Sequence, residues 1–209
     1  FKGDVRNINA WDRALDGASL VFHLAGYMDM FLDFSTYFTV NTAGTALMYE
    51  MIVNKKLPVK KIIAASSQSV YGEGKYWCRE YNQKIYPNTR SLAELEKKEW
   101  KIKCYLDGCR MTPRSESEND ILKPIQPYGA SKVSLEQVIF TLGRLYNIPS
   151  VALRYSIVQG ARQSFRHFYS GALRSFVVAG LAGMPMPIHE DGNQLRDFVS
   201  VHDLVDAHL

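Results

Sequence analysis

The sequence predicts an α/β chain built on a doubly wound parallel sheet. Three short, unbroken apolar runs carry that prediction: Leu20-Val21-Phe22-His23-Leu24, Lys61-Ile62-Ile63-Ala64-Ala65 and Ser150-Val151-Ala152-Leu153-Arg154-Tyr155. Runs of this length without alternation fit strands buried on both faces. Helically spaced segments separate them, so each strand reaches the next by a right-handed crossover. Ligands of such sheets sit at the carboxyl ends of the strands. Those ends are Ala25-Gly26, Ser66-Ser67 and Tyr155-Ser156, small or polar residues throughout.

The elements follow in order. Asn9 is placed to cap a short helix, Ala10 to Asp16, closed by Gly17. After the first strand a long helix is expected from about Thr36 to Asn54, with Val40, Ala43, Leu47, Met51 and Ile52 on its apolar side. Pro58 precedes the second strand. Residues 73–123 are too long for an ordinary loop and are read as an insertion. Within it, Ser91 and Glu94 form a capping box for a helix reaching Trp100. Counted over 73–119, ten basic and eight acidic side chains nearly balance, which favours a solvated surface over a nucleic-acid interface. An apolar helix follows Tyr128 (Val133, Val138, Ile139, Leu142, Leu145). From about residue 161 to 209 the chain reads as the start of a second, smaller lobe, with a helix over Phe168–Leu181, then Pro185 and Pro187, then Asp197-Phe198-Val199-Ser200-Val201.

The chain of 209 residues can bury a substantial core, and 46% hydrophobic with 22% charged residues is ordinary for a globular protein. No apolar run approaches the ~18 residues of a membrane span. A net charge of +4 permits an anionic ligand without requiring one. Three cysteines, Cys78, Cys104 and Cys109, argue against a disulfide framework and fit a reducing cytoplasm. A closed structural zinc site takes four ligands, so free thiols and no metal are expected. The chain starts on Phe1 and stops in a helix-like stretch, and is read as an internal piece of a longer protein.

Tyr128-Gly129-Ala130-Ser131-Lys132 is the leading chemical feature. Four residues apart at a helix start, the phenol and the ammonium share a face. A free tyrosine titrates near ~10, and a phenolate working at neutral pH needs about 4 kcal/mol of help. One lysine charge ~4 Å away at an effective dielectric of ~20 supplies about that much. The spacing alone is a weak signal, because Tyr71 and Lys75 also show it, though with two glycines between them. His23 reads as a core histidine.

Several motifs, in order, resemble the extended short-chain dehydrogenase/reductases, the family of nucleoside-diphosphate-sugar epimerases and dehydratases. They are Gly3-Asp4-Val5-Arg6, His23-Leu24-Ala25-Gly26, Asn41-Thr42-Ala43-Gly44-Thr45, Ser66-Ser67-Gln68-Ser69-Val70-Tyr71-Gly72, the Tyr128–Lys132 pair, Leu153-Arg154-Tyr155 with Arg162-Gln163, and Asp191-Gly192-Asn193-Gln194-Leu195-Arg196-Asp197-Phe198. The resemblance implies a Rossmann-like domain over residues 1–160, interrupted by the insertion, and the beginning of a substrate-binding lobe over 161–209. It implies NAD as cofactor, contacted by Asp4, Val5, Leu24, Ala25, Gly26, Asn41, Ala65, Tyr128, Lys132, Tyr155 and Val158. Ser67, Tyr128 and Lys132 take the catalytic positions. Ser67, Gln68, Tyr128 and Arg196 take the substrate side, Arg196 on the nucleotide diphosphate. The family's glycine-rich phosphate loop is expected upstream of Phe1.

Sugar 4,6-dehydratases carry Thr-Asp-Glu where this chain has Ser67-Gln68-Ser69, so water elimination is not expected. The insertion, Tyr155-Ser156-Ile157-Val158-Gln159-Gly160 and Glu190-Asp191-Gly192 are similar to the dTDP-L-rhamnose 4-epimerase group of that family. Departures fall at Ser156-Ile157, where many members have Phe-Asn, and at Ala161, where proline is usual. The resemblance therefore implies an NAD-dependent 4-epimerase of a nucleoside-diphosphate sugar. A reductase of 4-keto sugar nucleotides and a non-catalytic cofactor-binding protein stand as rivals. Relatives imply a homodimer formed through the helices at Thr36–Asn54 and Ser131–Tyr146.

Overall fold

The computed structural model describes residues 2–164, 171–186 and 188–209. The described chain divides into two compact units. The first comprises residues 1–87 and 112–155, the second residues 88–111 and 156–209. The change from the first unit to the second falls after Tyr155. The assignment of residues 88–111 to the second unit was not expected.

In the first unit, helix α1 (Ile8–Leu15) is capped by Asn7, whose side chain accepts from the Asn9 amide. The cap therefore lies two residues before the one expected. Strand β1 (Leu20–His23) follows. Next comes a continuous helical run: α2 (Phe34–Tyr37), a π-helical segment over Phe38–Ala43, and α3 (Gly44–Asn54). Strand β2 (Lys61–Ser67) ends in a 3-10 turn over Gln68–Tyr71. Within the insertion, β3 (Lys75–Cys78) and β4 (Gln83–Ile85) form an antiparallel hairpin. Helix α4 (Leu92–Glu96) does have the Ser91–Glu94 capping box but stops well short of Trp100. Strand β5 (Met111–Arg114), most of which belongs to the first unit, adds to the β3 side of the hairpin. The insertion closes on itself at its neck, where the Lys123 amide donates to Val70 O at 2.9 Å.

Helix α5 (Pro127–Leu145) starts on a proline, which lacks the amide that a first helical turn leaves unpaired. Strand β6 (Ser150–Tyr155) completes a three-stranded parallel sheet in the order β1-β2-β6. The register pairs His23 with Ala64, Ser66 with Arg154 and Ser67 with Tyr155. The two crossovers are those read from the sequence. Val21, Ile62 and Ala64 project from one face into a core with Trp11 and Leu15 of α1, Met48 and Ile52 of α3, and Leu135 and Ile139 of α5. Burial of β1 on both faces was expected and is not found. Helices pack on the Val21–His23 face alone, and Leu20 and Phe22, alternating to the other side, are exposed.

The second unit holds β7 (Ile157–Gln159), α6 (Ala172–Leu181), β8 (Phe198–Ser200) and α7 (Val201–Asp206). Strands β7 and β8 pair in parallel. The expected start of α6 at Phe168 lies outside the described residues.

Candidate active site

The site is built where β1 and β2 end and α5 begins. Tyr128 lies in the first turn of α5, and Lys132 follows one turn later. The Lys132 Nζ stands 5.8 Å from the centre of the Tyr128 ring. Lys132 is only 3% exposed, and its ammonium donates to Ala65 O of β2 at 2.8 Å. Burial lowers its pKa to about 8, which still leaves most of the charge in place at neutral pH. That charge, held close to the ring, favours a phenolate over the neutral phenol.

Ser67 closes β2. Its Oγ accepts from the Ser69 amide at 3.2 Å and from Ser69 Oγ at 3.0 Å. Both bonds use lone pairs, so the hydroxyl keeps its own proton for a ligand. The turn that carries Ser69 is pressed against the start of α5. A Cβ on Gly129 would stand 2.6 Å from Ser69 O, so only glycine fits between Tyr128 and this turn. Gln68 is half-buried in the same turn.

Asn41 is fully buried on the π-helical segment. Its Oδ1 accepts from the Tyr27 amide at 2.7 Å, and its Nδ2 donates to Tyr27 O at 3.0 Å and to Ser131 Oγ at 2.9 Å. Ser131 Oγ in turn donates to Tyr128 O at 2.7 Å. The extra residue of a π-turn rotates a side chain off the regular helical stripe. Here that side chain ties the loop after β1 to the first turn of α5.

Leu24, Ala25 and Gly26 leave the end of β1 exposed. A Cβ on Gly26 would stand 3.1 Å from Lys132 Nζ and 3.4 Å from Asn41 Oδ1. This bare backbone, the small Ala65 and the two remaining N–H groups of Lys132 fit a flat ligand laid across the strand ends. Asp4 is bound by Arg6 in a side-chain ion pair of 2.6 Å, and hydrogen bonds from Arg6 lower its pKa to about 2. Val5 packs beside Gly44, and its carbonyl accepts from Trp11 Nε1 at 2.7 Å. Tyr155 ends β6, with a phenol pushed up to about 12 by burial. His23 is buried against Trp11 and bonded to Thr45 Oγ1 at 2.9 Å, and burial, aided by the Lys132 charge, lowers its pKa to about 4. It is neutral and structural. Val158 and Arg196 belong to the second unit. Val158 sits on β7, next to a cleft of about 330 Å³ lined in part by Gln159, Arg162 and Arg174. Arg196 is exposed, just before β8.

Sequence reasoning missed Glu136, one turn beyond Lys132. It is 3% exposed, accepts from Ser66 Oγ, and binds Arg154 through both oxygens at 3.0 and 2.8 Å. Arg154 also donates to Tyr71 OH at 2.7 Å, and Tyr71 OH donates to Ser117 O at 3.0 Å. This chain of bonds joins α5, β2, β6 and the returning arm of the insertion. The signal was available, since Tyr128, Lys132 and Glu136 recur every four residues on one helical face.

The profile of the NAD dependent epimerase/dehydratase family matches residues 104–209, just over half the chain. The chain belongs to that family. The profile of the 3-beta hydroxysteroid dehydrogenase/isomerase family matches residues 1–98. The chain is 32% identical over 209 residues to a dTDP-L-rhamnose 4-epimerase of Burkholderia thailandensis, an alignment covering 98% of this chain and 56% of that protein. The structure resembles UDP-glucuronic acid 4-epimerase from Bacillus cereus in complex with NAD. The TM-score is 0.71 and the identity 25%, over 100% of this chain and 53% of that one. UDP-glucose 4-epimerase from Thermotoga maritima, solved with UDP-glucose, superposes with a TM-score of 0.74. At 24% identity, over 99% of this chain and 56% of that one, it supports the fold alone. The chain thus spans about half the length of the relatives it matches.

Proposed function

We propose that the whole protein is an NAD-dependent epimerase acting at C4 of a nucleoside-diphosphate sugar, with dTDP-L-rhamnose as the favoured substrate. The observation that carries this reading is the buried Lys132 ammonium, anchored on Ala65 O beside the Tyr128 ring. A buried charge is costly, and here it stands where it can lower the pKa of a phenol. The substrate assignment leans on the 32% identity to the Burkholderia enzyme. The absence of an Asp-Glu pair after Ser67 argues against dehydration.

NAD, when bound, supplies reversible hydride acceptance and so leaves no net redox change. Leu24, Ala25, Gly26, Asn41, Ala65, Tyr155 and Val158 would hold it, with Asp4 and Val5 at its adenosine end. Tyr128 takes the proton from the sugar's 4-hydroxyl and later returns it. Lys132 favours the phenolate and would hold the cofactor ribose. Ser67 donates its free proton to the reacting oxygen and orients it, with Gln68 alongside. Arg196 holds the diphosphate while the 4-keto sugar turns over. The favoured assembly is a homodimer through α3 and α5, the second of which leaves Phe140 and Leu145 exposed in the single chain. No described helix is long and apolar enough to cross a membrane, and three free thiols suit a cytoplasmic setting.

The test uses the full-length protein with dTDP-L-rhamnose, UDP-glucose and UDP-glucuronate in turn, no cofactor added, following C4 configuration by proton NMR. The expected result is a 4-epimer from dTDP-L-rhamnose, slowed about 100-fold or more by Tyr128→Phe. Undiminished turnover by that variant would overturn the reading.

A further inference from the structure

We propose that the 88–111 arm of the insertion is a substrate-side element, in which Arg90 acts through Glu190 as a positioning residue for Arg196. The proposal rests on the reading above that Arg196 meets the diphosphate of a nucleotide sugar. Asn88–Met111 forms one compact unit with Ser156–Leu209, although about a hundred residues of chain separate Arg90 from Glu190. The link is an ion pair, Arg90 to Glu190 Oε2 at 2.8 Å, with the side chains 20% and 24% exposed. The same Arg90 nitrogen donates to Trp100 O at 3.0 Å, so both flanks of α4 are tied to one guanidinium. The capping box at Ser91 holds the helix start beside it.

On the other side of the pair, Glu190 opens a tight turn. The Gly192 amide donates to His189 O, and the Asn193 amide to Asp191 Oδ1. Hydrogen bonding from Arg90, then its charge, holds the Glu190 carboxyl below its usual range, and Gln194 adds a further bond. The Asp191 carboxyl is lowered by its bonds from Asn193 and, less strongly, by the charge of Lys101 in the same arm. Glu190 adopts φ +55, a left-handed conformation that a non-glycine residue keeps only when its surroundings impose it.

Arg196 lies between this turn and β8. Among the described residues its guanidinium bonds only the adjacent Leu195 O. Its placement therefore comes from the backbone on either side. Pairing with β7 holds that backbone from Phe198 onward, and the Arg90–Glu190 pair holds it before Arg196. Without the second anchor, ordering the segment has to accompany ligand binding, and affinity falls by that entropy.

The experiment is calorimetric titration of the full-length protein with dTDP and with UDP, alongside KM and kcat for the sugar nucleotide. Arg90→Met and the isosteric Glu190→Gln are each expected to weaken nucleoside-diphosphate binding about tenfold and to raise KM, while kcat and the thermal midpoint stay unchanged. The double variant should be no worse than either single one, because both remove the same link. Arg90→Lys, which keeps the charge, should recover most of the affinity. If both single variants bind like the parent while Arg196→Ala loses binding, the positioning role is overturned and the functional reading stands. If Arg196→Ala leaves binding intact, the diphosphate role of Arg196 and the positioning role of Arg90 both fall, while the epimerase reading is judged separately by Tyr128→Phe.

Discussion

Lys132 illustrates how a single residue trades stability for chemistry. Its ordinary pKa of 10.5 falls to about 8 because the ammonium is buried. Below about 8 the group is charged in both folded and unfolded chains, and the folded state bears a cost of roughly 3 kcal/mol. Between about 8 and 10.5 only the unfolded chain still holds the proton, so the cost fades as pH rises. Replacement by methionine is therefore expected to cut turnover at least about 100-fold yet raise the thermal midpoint at pH 7. That gain should shrink toward pH 10, as thermal denaturation across the pH range would reveal. The same titration predicts an alkaline limb near pH 8 in kcat/KM, since a neutral Lys132 no longer favours the phenolate. An unchanged or lower midpoint for Lys132→Met at pH 7 would contradict this account.

At the scale of elements, α5 matters through its approach to the turn after β2. That approach depends on Gly129, where a Cβ would meet Ser69 O at 2.6 Å. Gly129→Ala should remove most activity, because the added carbon separates Tyr128 from Ser67. Far-UV circular dichroism should change little, since alanine favours helix by about 1 kcal/mol over glycine. Full activity in this variant would show that the close approach is dispensable. The π-helical segment is a second local device. Hydrophobic spacing at Thr36–Asn54 reads as one regular helix, and nothing in that spacing marks the extra residue that turns Asn41 inward. The insertion divides similarly: its hairpin stays with the sheet unit, while its 88–111 arm joins the other unit. A balanced charge count predicted only a solvated surface, and it carried no information about which unit each half would join.

For the whole molecule, the dimer proposed from the resemblance would cover apolar side chains that α5 leaves exposed, among them Phe140. The full-length protein is expected to sediment as a dimer at micromolar concentration, and Phe140→Glu to shift it toward monomer; a monomeric parent would refute the assignment. The parallel sheet, its crossovers, Ser67 at the end of β2 and the Tyr128–Lys132 pair at the start of α5 were legible from sequence. They rest on short-range regularities: apolar run length, helical spacing, and small residues where a ligand approaches. The Glu136–Arg154–Tyr71–Ser117 chain, the Asn41 clasp and the Arg90–Glu190 pair were decided only by the tertiary structure. Each joins residues far apart in the chain, and a side chain's partner at that distance is set by packing rather than by its neighbours in sequence.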